Sequence, residues 1–291
     1  MRNLKGFLAL FATGIIFGSF SIYIRLLSSH VTAYQQIFLR NLVALVLILA
    51  IIFVLKKQFS FRGHSKLILL GFTFLFPIGV ILFVLSVLQT QIITAVFGVY
   101  LGSVISSLIV GIVFFKEKLT ALKLLVLTLV LTGLVIYVWP ISVNSLLSKG
   151  LLLAVGTGLA DTGSNSLRKY LGEKIDKFVL VSLHAMGGMI LSLVLIVASG
   201  QFGVVNMPIE SWLVVLIFGL SLIAVYYFTL VGFSNFDLHL GTVVLSSELF
   251  FGPLFAVIFF REYPTTFQII GASLIMLAIV ALNTNLFSRR A

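Results

Sequence analysis

The chain has 291 residues, 60% of them hydrophobic and only 9% charged. Soluble domains carry about 25% charged residues, so a water-soluble globular protein is excluded and a membrane-embedded chain with short loops is expected. The formal net charge of +11 does not point to nucleic acid, because the basic residues lie between apolar runs, where membrane-orientation signals belong.

A membrane helix needs ~20 mostly apolar residues. The first such run, 6–27, follows Met1-Arg2-Asn3-Leu4-Lys5. It is long enough to span and has no small-x-small cleavage site behind it, so it reads as a membrane helix and not as a signal peptide. Further runs cover 33–55, 67–88, 92–115 and 119–139, then 150–171, 177–199, 209–233, 240–260 and 264–286. The expected fold is all-α and integral to the membrane, with ten transmembrane helices.

The basic residues orient these spans. With the N-terminus inside, cytoplasmic segments collect Arg2, Lys5, Lys56, Lys57, Arg62, Lys66, Lys116, Lys118, Lys123, Arg168, Lys169, Lys174, Lys177, Arg289 and Arg290, against Arg25, Arg40, Lys149 and Arg261 on or near the other side. That bias places both termini in the cytoplasm of a cell whose inner membrane holds the chain.

The chain also repeats itself. Val113-Phe114-Phe115-Lys116-Glu117-Lys118-Leu119-Thr120 returns as Ile258-Phe259-Phe260-Arg261-Glu262-Tyr263-Pro264-Thr265. Thr13-Gly14 matches Thr157-Gly158, Arg25 matches Lys169, and Leu39-Arg40 matches Leu183-His184. Five spans per copy make the second copy enter the membrane upside down, so residues 1–143 and 144–291 are expected to be inverted repeats.

With Phe115-Lys116-Glu117 and Phe260-Arg261-Glu262 at the helix exits, small-residue first and sixth helices and Arg40 in the second, the chain resembles the drug/metabolite transporter (DMT) superfamily, in its EamA-type branch. The resemblance implies ten helices and a central cavity lined by the first, third, fourth, sixth, eighth and ninth. It also implies secondary transport of a small organic metabolite. The glutamate of the family's Glu-Pro pair falls on Glu248, where Leu249 replaces the proline and Pro253 follows a turn later.

Candidate site residues are the polar groups that a bilayer penalises. A charge at the bilayer centre costs ~2.5–3.5 kcal/mol, so Glu248 must face a cavity, meet a cation or be protonated, which suits a proton-coupling group. Asp161 and Asn165 share one face of the polar sixth helix. His184 titrates near neutral pH in its ordinary state. Arg40 is a partner for a carboxylate, whether that of Glu248 or of a solute, unless it snorkels outward. Tyr100, Ser103, Tyr226 and Tyr227 are candidate walls, and Trp139 and Trp212 candidate interfacial anchors. Glu117 and Glu262 read as architectural, each accepting backbone N–H bonds just before a new helix, with Pro264 in the first turn of the last one.

No Walker loop, nucleophile elbow or His-Glu-x-x-His motif is present, and the acidic residues are isolated. The absence of cysteine removes thiol chemistry. An enzyme, a metal centre and a cofactor are therefore not expected. The sequence reads as an exporter of an amino acid or amine, with a small-molecule substrate, the lipid bilayer and protons as its partners. An uncoupled uniporter, or a membrane enzyme or accessory subunit, is the alternative.

Overall fold

The computed structural model describes residues 2–61, 63–90, 92–140, 148–203 and 206–288. Arg62, Arg289 and Arg290, the side chain of Arg2 and the expected boundary between residues 143 and 144 lie outside the described residues. The regular elements among the described residues are α-helices: α1 Arg2–Ser28, α2 Ala33–Val54, α3 Lys66–Val87, α4 Ile92–Val113, α5 Ala121–Tyr137, α6 Lys149–Leu171, α7 Lys177–Ala198, α8 Ile209–Asn235, α9 Leu238–Leu245, α10 Glu248–Phe260 and α11 Thr266–Ser288. Among the described residues, seven segments are long and apolar enough to cross a membrane: α1, α2, α3, α4, α7, α8 and the joined α9–α10. The shorter α5, and α11 over Thr266–Leu282, are also apolar.

Hydroxyl and carboxylate side chains start these helices by satisfying N–H groups that have no partner in the first turn. Thr32 and Gln35 form a capping box on α2. Asp176 Oδ1 accepts from the Phe178 N–H at 2.9 Å at the start of α7. Thr120 Oγ1 accepts from the Lys123 N–H at 3.4 Å on α5, and Thr265 Oγ1 from the Gln268 N–H at 3.2 Å on α11. The caps of α5 and α11 thus fall to the threonines three residues after Glu117 and Glu262, while Glu117 Oε1 accepts a backbone N–H from Leu238 at the start of α9 instead. Pro264 precedes the cap of α11 instead of sitting in its first turn.

The ninth run does not form one continuous helix. It breaks at Ser246-Ser247, so Glu248 opens α10 instead of sitting mid-helix, and Pro253 lies inside α10 without ending it. The break packs on α1 at Gly14, where an added Cβ would collide with the Ser247 hydroxyl. At Gly18, one turn on, a Cβ would lie 2.8 Å from the Phe251 Cβ. The matching Thr157-Gly158 of α6 makes an equally close crossing with α4, at the Val99 carbonyl and the Ser103 N–H. Small residues let backbones meet where no water drives association.

Packing follows a paired scheme. α3 and α4 pack on α6, as α8 and α9–α10 pack on α1. α2 packs on α8 as α3 packs on α7, and α2–α7 and α5–α11 pair directly. Apolar clusters fill the interior on two sides, one including Val104, Val130, Val244 and Ile275, the other including Leu27, Ile48, Val181 and Phe218. The polar α6 runs between them, largely shielded by α3, α4 and α8. Trp139 and Trp212 are exposed near helix ends, as interfacial anchors require.

Candidate functional site

A cavity of about 500 Å³ lies between the helix pairs. Its walls come from α1, α2, α3, α4, α6, α8, α9 and α10. On α2 the expected Arg40 is joined by Gln36 and Ile37, from a helix outside the expected cavity lining. Towards one end of the bundle the lining reaches Ile24, Ala33 and Leu88, and Leu88 is 74% exposed there. We refer to this as the mouth.

Glu248, Asp161, Asn165, Arg40, Tyr100 and Ser103 all line the cavity. The break before Glu248 leaves its carboxyl at the start of α10, beside the Tyr100 phenol. The backbone bonds continue across the break, with the Leu249 N–H donating to the Ser246 carbonyl and the Phe250 N–H to the Ser247 carbonyl, each at 3.0 Å. Asp161 and Asn165 project from one face of α6. Neither Asp161 nor Glu248 takes part in an ion pair among the described residues. Ser103 Oγ donates to the Gly158 carbonyl at 3.4 Å, so its hydroxyl ties α4 to α6 as well as facing the cavity.

Arg40 does not snorkel. Its guanidinium carbon sits 4.7 Å from the Phe218 ring and 5.9 Å from the Phe20 ring, and its Nε is buried without a hydrogen-bond partner. The aromatic faces hold the cation in place while leaving donors available. By helix rise, Arg40 lies roughly 10 Å below the start of α2 at the mouth, whereas Asp161 lies roughly 18 Å below the start of α6. The cavity therefore carries its cation nearer the mouth and its acids deeper.

Three candidates do not reach this cavity. His184 is fully buried, stacked on Phe72 with ring centroids 4.0 Å apart, and its Nε2 accepts from Arg168 Nε at 3.2 Å. Tyr226 is buried behind Arg40, and its hydroxyl donates to Asn41 Oδ1 at 3.1 Å. Tyr227 stacks on Phe178, also away from the cavity. The expectation that His184, Tyr226 and Tyr227 line the pocket is therefore corrected: their hydrogen bonds and rings are spent on helix packing.

Arg168 was missed. Counted with the loop charges, it is in fact 98% buried on α6, where it donates to Asn165 Oδ1 and His184 Nε2 and lies 4.9 Å from the Phe76 ring. Asp161, Asn165 and Arg168 fall at i, i+4 and i+7, one face of a helix, and that spacing was the available signal.

The end opposite the mouth is sealed by a polar network. Lys169 Nζ donates to Glu117 Oε1 at 2.8 Å and to the Phe236 carbonyl at 2.7 Å. The Leu238 N–H donates to Glu117 Oε1 at 2.7 Å, and His239 Nδ1 contacts Glu117 Oε2. Lys123 Nζ reaches Asp237 Oδ2 at 2.6 Å. Burial pushes the Glu117 carboxyl up, but the bonds from His239, Lys169 and the Leu238 N–H outweigh it and bring it down to about 2. Glu117, Asp237 and His239 are close enough to share a metal ion. Lys169 and Lys123 already neutralise both carboxylates, so the group is a hydrogen-bonded ion network and not a cation site.

Residues 148–284 match the EamA-like transporter family. No curated protein matches the chain in sequence. One solved crystal structure, described only as that of a protein, superposes with a TM-score of 0.77 over 99% of this chain and 98% of its own, at 15% identity. At that identity the likeness speaks for the fold alone. The apolar helices and the match over residues 148–284 together describe a multi-pass membrane protein whose second half is similar to the EamA-like transporter family of the drug/metabolite transporter superfamily.

Proposed function

We propose that this protein is a secondary transporter that exports a small organic metabolite, an amino acid or amine, across the inner membrane in exchange for protons. The observation that carries this reading is the cavity itself. Glu248 and Asp161 line it at depth and take part in no ion pair among the described residues, while Arg40 lines it nearer the mouth. An ammonium group suits the acids and a carboxylate suits Arg40. The two charges together favour a zwitterion over a simple amine. Phe17, Phe20, Phe76 and Phe83 supply apolar walls for the rest of the solute.

Glu248 binds either the proton or the solute's ammonium group, and this competition couples the two flows. Asn165 and Asp161 orient the polar end of the solute, and Tyr100 flanks it. The paired packing of α3 and α4 on α6, and of α8 and α9–α10 on α1, supports ten membrane segments in two inverted five-helix halves. Lys5, Lys56, Lys57, Lys66, Lys174 and Lys177 cluster at the helix ends opposite the mouth, which supports cytoplasmic termini and a cavity that faces outward in this state.

The test is uptake of labelled neutral amino acids and amines into liposomes containing the purified protein, with and without a pH gradient. Gradient-dependent accumulation is expected, and it should vanish in Glu248→Gln while exchange down the solute gradient persists. Parental gradient-driven accumulation by Glu248→Gln would overturn the proton role. Exchange that ignores the gradient in the parent would leave a uniporter.

A further inference from the structure

Both repeat copies end a helix in the same turn. Lys116 and Arg261 adopt left-handed φ values of 54° and 58°. The N–H groups of Glu117 and Glu262 then bond back to the Gly111 carbonyl at 2.9 Å and the Ala256 carbonyl at 3.2 Å. Each glutamate meets one cation from near the end of another helix: Lys169 of α6 at 2.8 Å, Arg25 of α1 at 2.5 Å. Each cation also sits over the phenyl ring two residues before its glutamate, Lys169 at 5.2 Å from Phe115 and Arg25 at 4.8 Å from Phe260. The same triad of ring, cation and carboxylate therefore stands at both ends of the bundle.

Only the surroundings differ. The Glu117 side chain is 4% exposed and gains His239 and the Leu238 N–H as further partners. The side chains of Arg25 and Glu262 are 49% and 52% exposed, beside the cavity mouth at Ile24. Because the turn geometry is shared, the difference arises from how the surrounding helices close over each triad, not from the triads themselves.

We infer that the two triads are alternating bolts of the transport cycle: Glu117–Lys169–Phe115 locks the sealed end in this state, and Glu262–Arg25–Phe260 becomes buried and locks the mouth when that end opens. The inference rests on the transporter reading. Burying one triad as its counterpart is released replaces like interactions with like. The two states then stay close enough in free energy for a solute to shift the balance. The extra His239 contact biases the pair towards the present state. Glu117, Lys169, Arg25 and Glu262 are on this view positioning residues that never touch the solute.

The native chain has no cysteine, so single reporters can be added without background. Gln89, exposed near the mouth, and Ser234, 8% exposed at the sealed end, are related by the 145-residue offset that relates Glu117 to Glu262. In lipid nanodiscs a soluble maleimide should label Gln89→Cys rapidly and Ser234→Cys slowly. Arg25→Met should slow Ser234→Cys labelling by about tenfold and slow solute exchange in liposomes, at unchanged melting temperature, because the pair is exposed in the present state. Glu117→Gln should do the reverse, speeding Ser234→Cys labelling by about tenfold and slowing Gln89→Cys.

Labelling rates for Arg25→Met and Glu262→Gln within about twofold of the parent, in protein that still transports, would overturn the bolts. Should Glu117→Gln fail to fold, the exposed pair carries the test alone. Labelling that shifts as stated, in a protein that moves none of the solutes offered, would keep the bolts and overturn the transported class.

Discussion

Arg40 shows what a buried cation needs. Its charge is tolerated because Phe218 and Phe20 lie against the guanidinium, and the side chain lines the cavity. Arg40→Gln should therefore raise the KM for a zwitterionic amino acid by about tenfold or more, the value of a charge-assisted hydrogen bond, while an amine of the same shape without a carboxylate is transported as before. Competition assays with such a matched pair check this. Glu117 allows a pH prediction. Its carboxyl is held at about 2, well below the ordinary glutamate value, so its stabilising contribution is complete above that ordinary value and is lost as the pH falls towards 2. Melting temperatures in detergent should hold from neutral pH down to about 5 and fall below it, and Glu117→Gln should flatten that acid limb. At this scale the sequence was informative wherever a charge had no business in a bilayer: Glu248, Asp161 and Arg40 all reach the cavity. It misled where a charge lay near a helix end. Arg168 and Lys169 are neighbours in the chain, yet one points into the bundle and the other into the sealing network, and only helical phase separates them.

At the scale of elements, the break between α9 and α10 decides where the acid stands. The polar triplet Ser246-Ser247-Glu248 is visible in the sequence, and so is Pro253 a turn later. A proline inside a membrane helix is tolerated when neighbours reabsorb the freed carbonyl, so it gives no certain position for a break. The position is set by contact with α1, because the missing side chain of Gly14 makes room for Ser247. Gly14→Ala should overpack that crossing and cost about 1–3 kcal/mol, with reduced transport in whatever remains folded. Gly252, four residues after Glu248 in α10, has open space where a Cβ would go, so Gly252→Ala should leave the melting temperature unchanged or slightly raised. Thermal unfolding of the two variants side by side separates the close crossing from a general intolerance of alanine in these helices. Helix starts were partly legible: the repeat threonines Thr120 and Thr265 were in plain view, but the adjacent glutamates, being charged, attracted the capping role that the shorter hydroxyl side chains perform.

At the scale of the molecule, the apolar runs and their spacing survive into the structure because bilayer thickness demands length and apolarity from every span. What the chain did not reveal is which helices face the cavity and which end of it is open. Lipid-facing and helix-facing surfaces have the same composition, so nothing in an apolar run says which neighbour it will meet. The α2 wall is the clearest case: Gln36 and Arg40 are one turn apart and both line the cavity, yet read alone they look like residues near a membrane surface. The exposed ion pair at the mouth carries a consequence of its own. Dissolved ions weaken exposed ion pairs, with a screening length of about 8 Å at physiological ionic strength that shortens as salt is added, and leave buried pairs largely untouched. Arg25 and Glu262 are half exposed, whereas Glu117 is enclosed. Added salt on the mouth side of a vesicle should therefore weaken the Arg25–Glu262 pair in the present state and slow closure of the mouth, as measured by exchange at fixed osmolarity, whereas salt on the opposite side can act on Glu117–Lys169 only once that end has opened. With the mouth open, the protein senses the ionic strength of the mouth-side solution and is blind to that of the other.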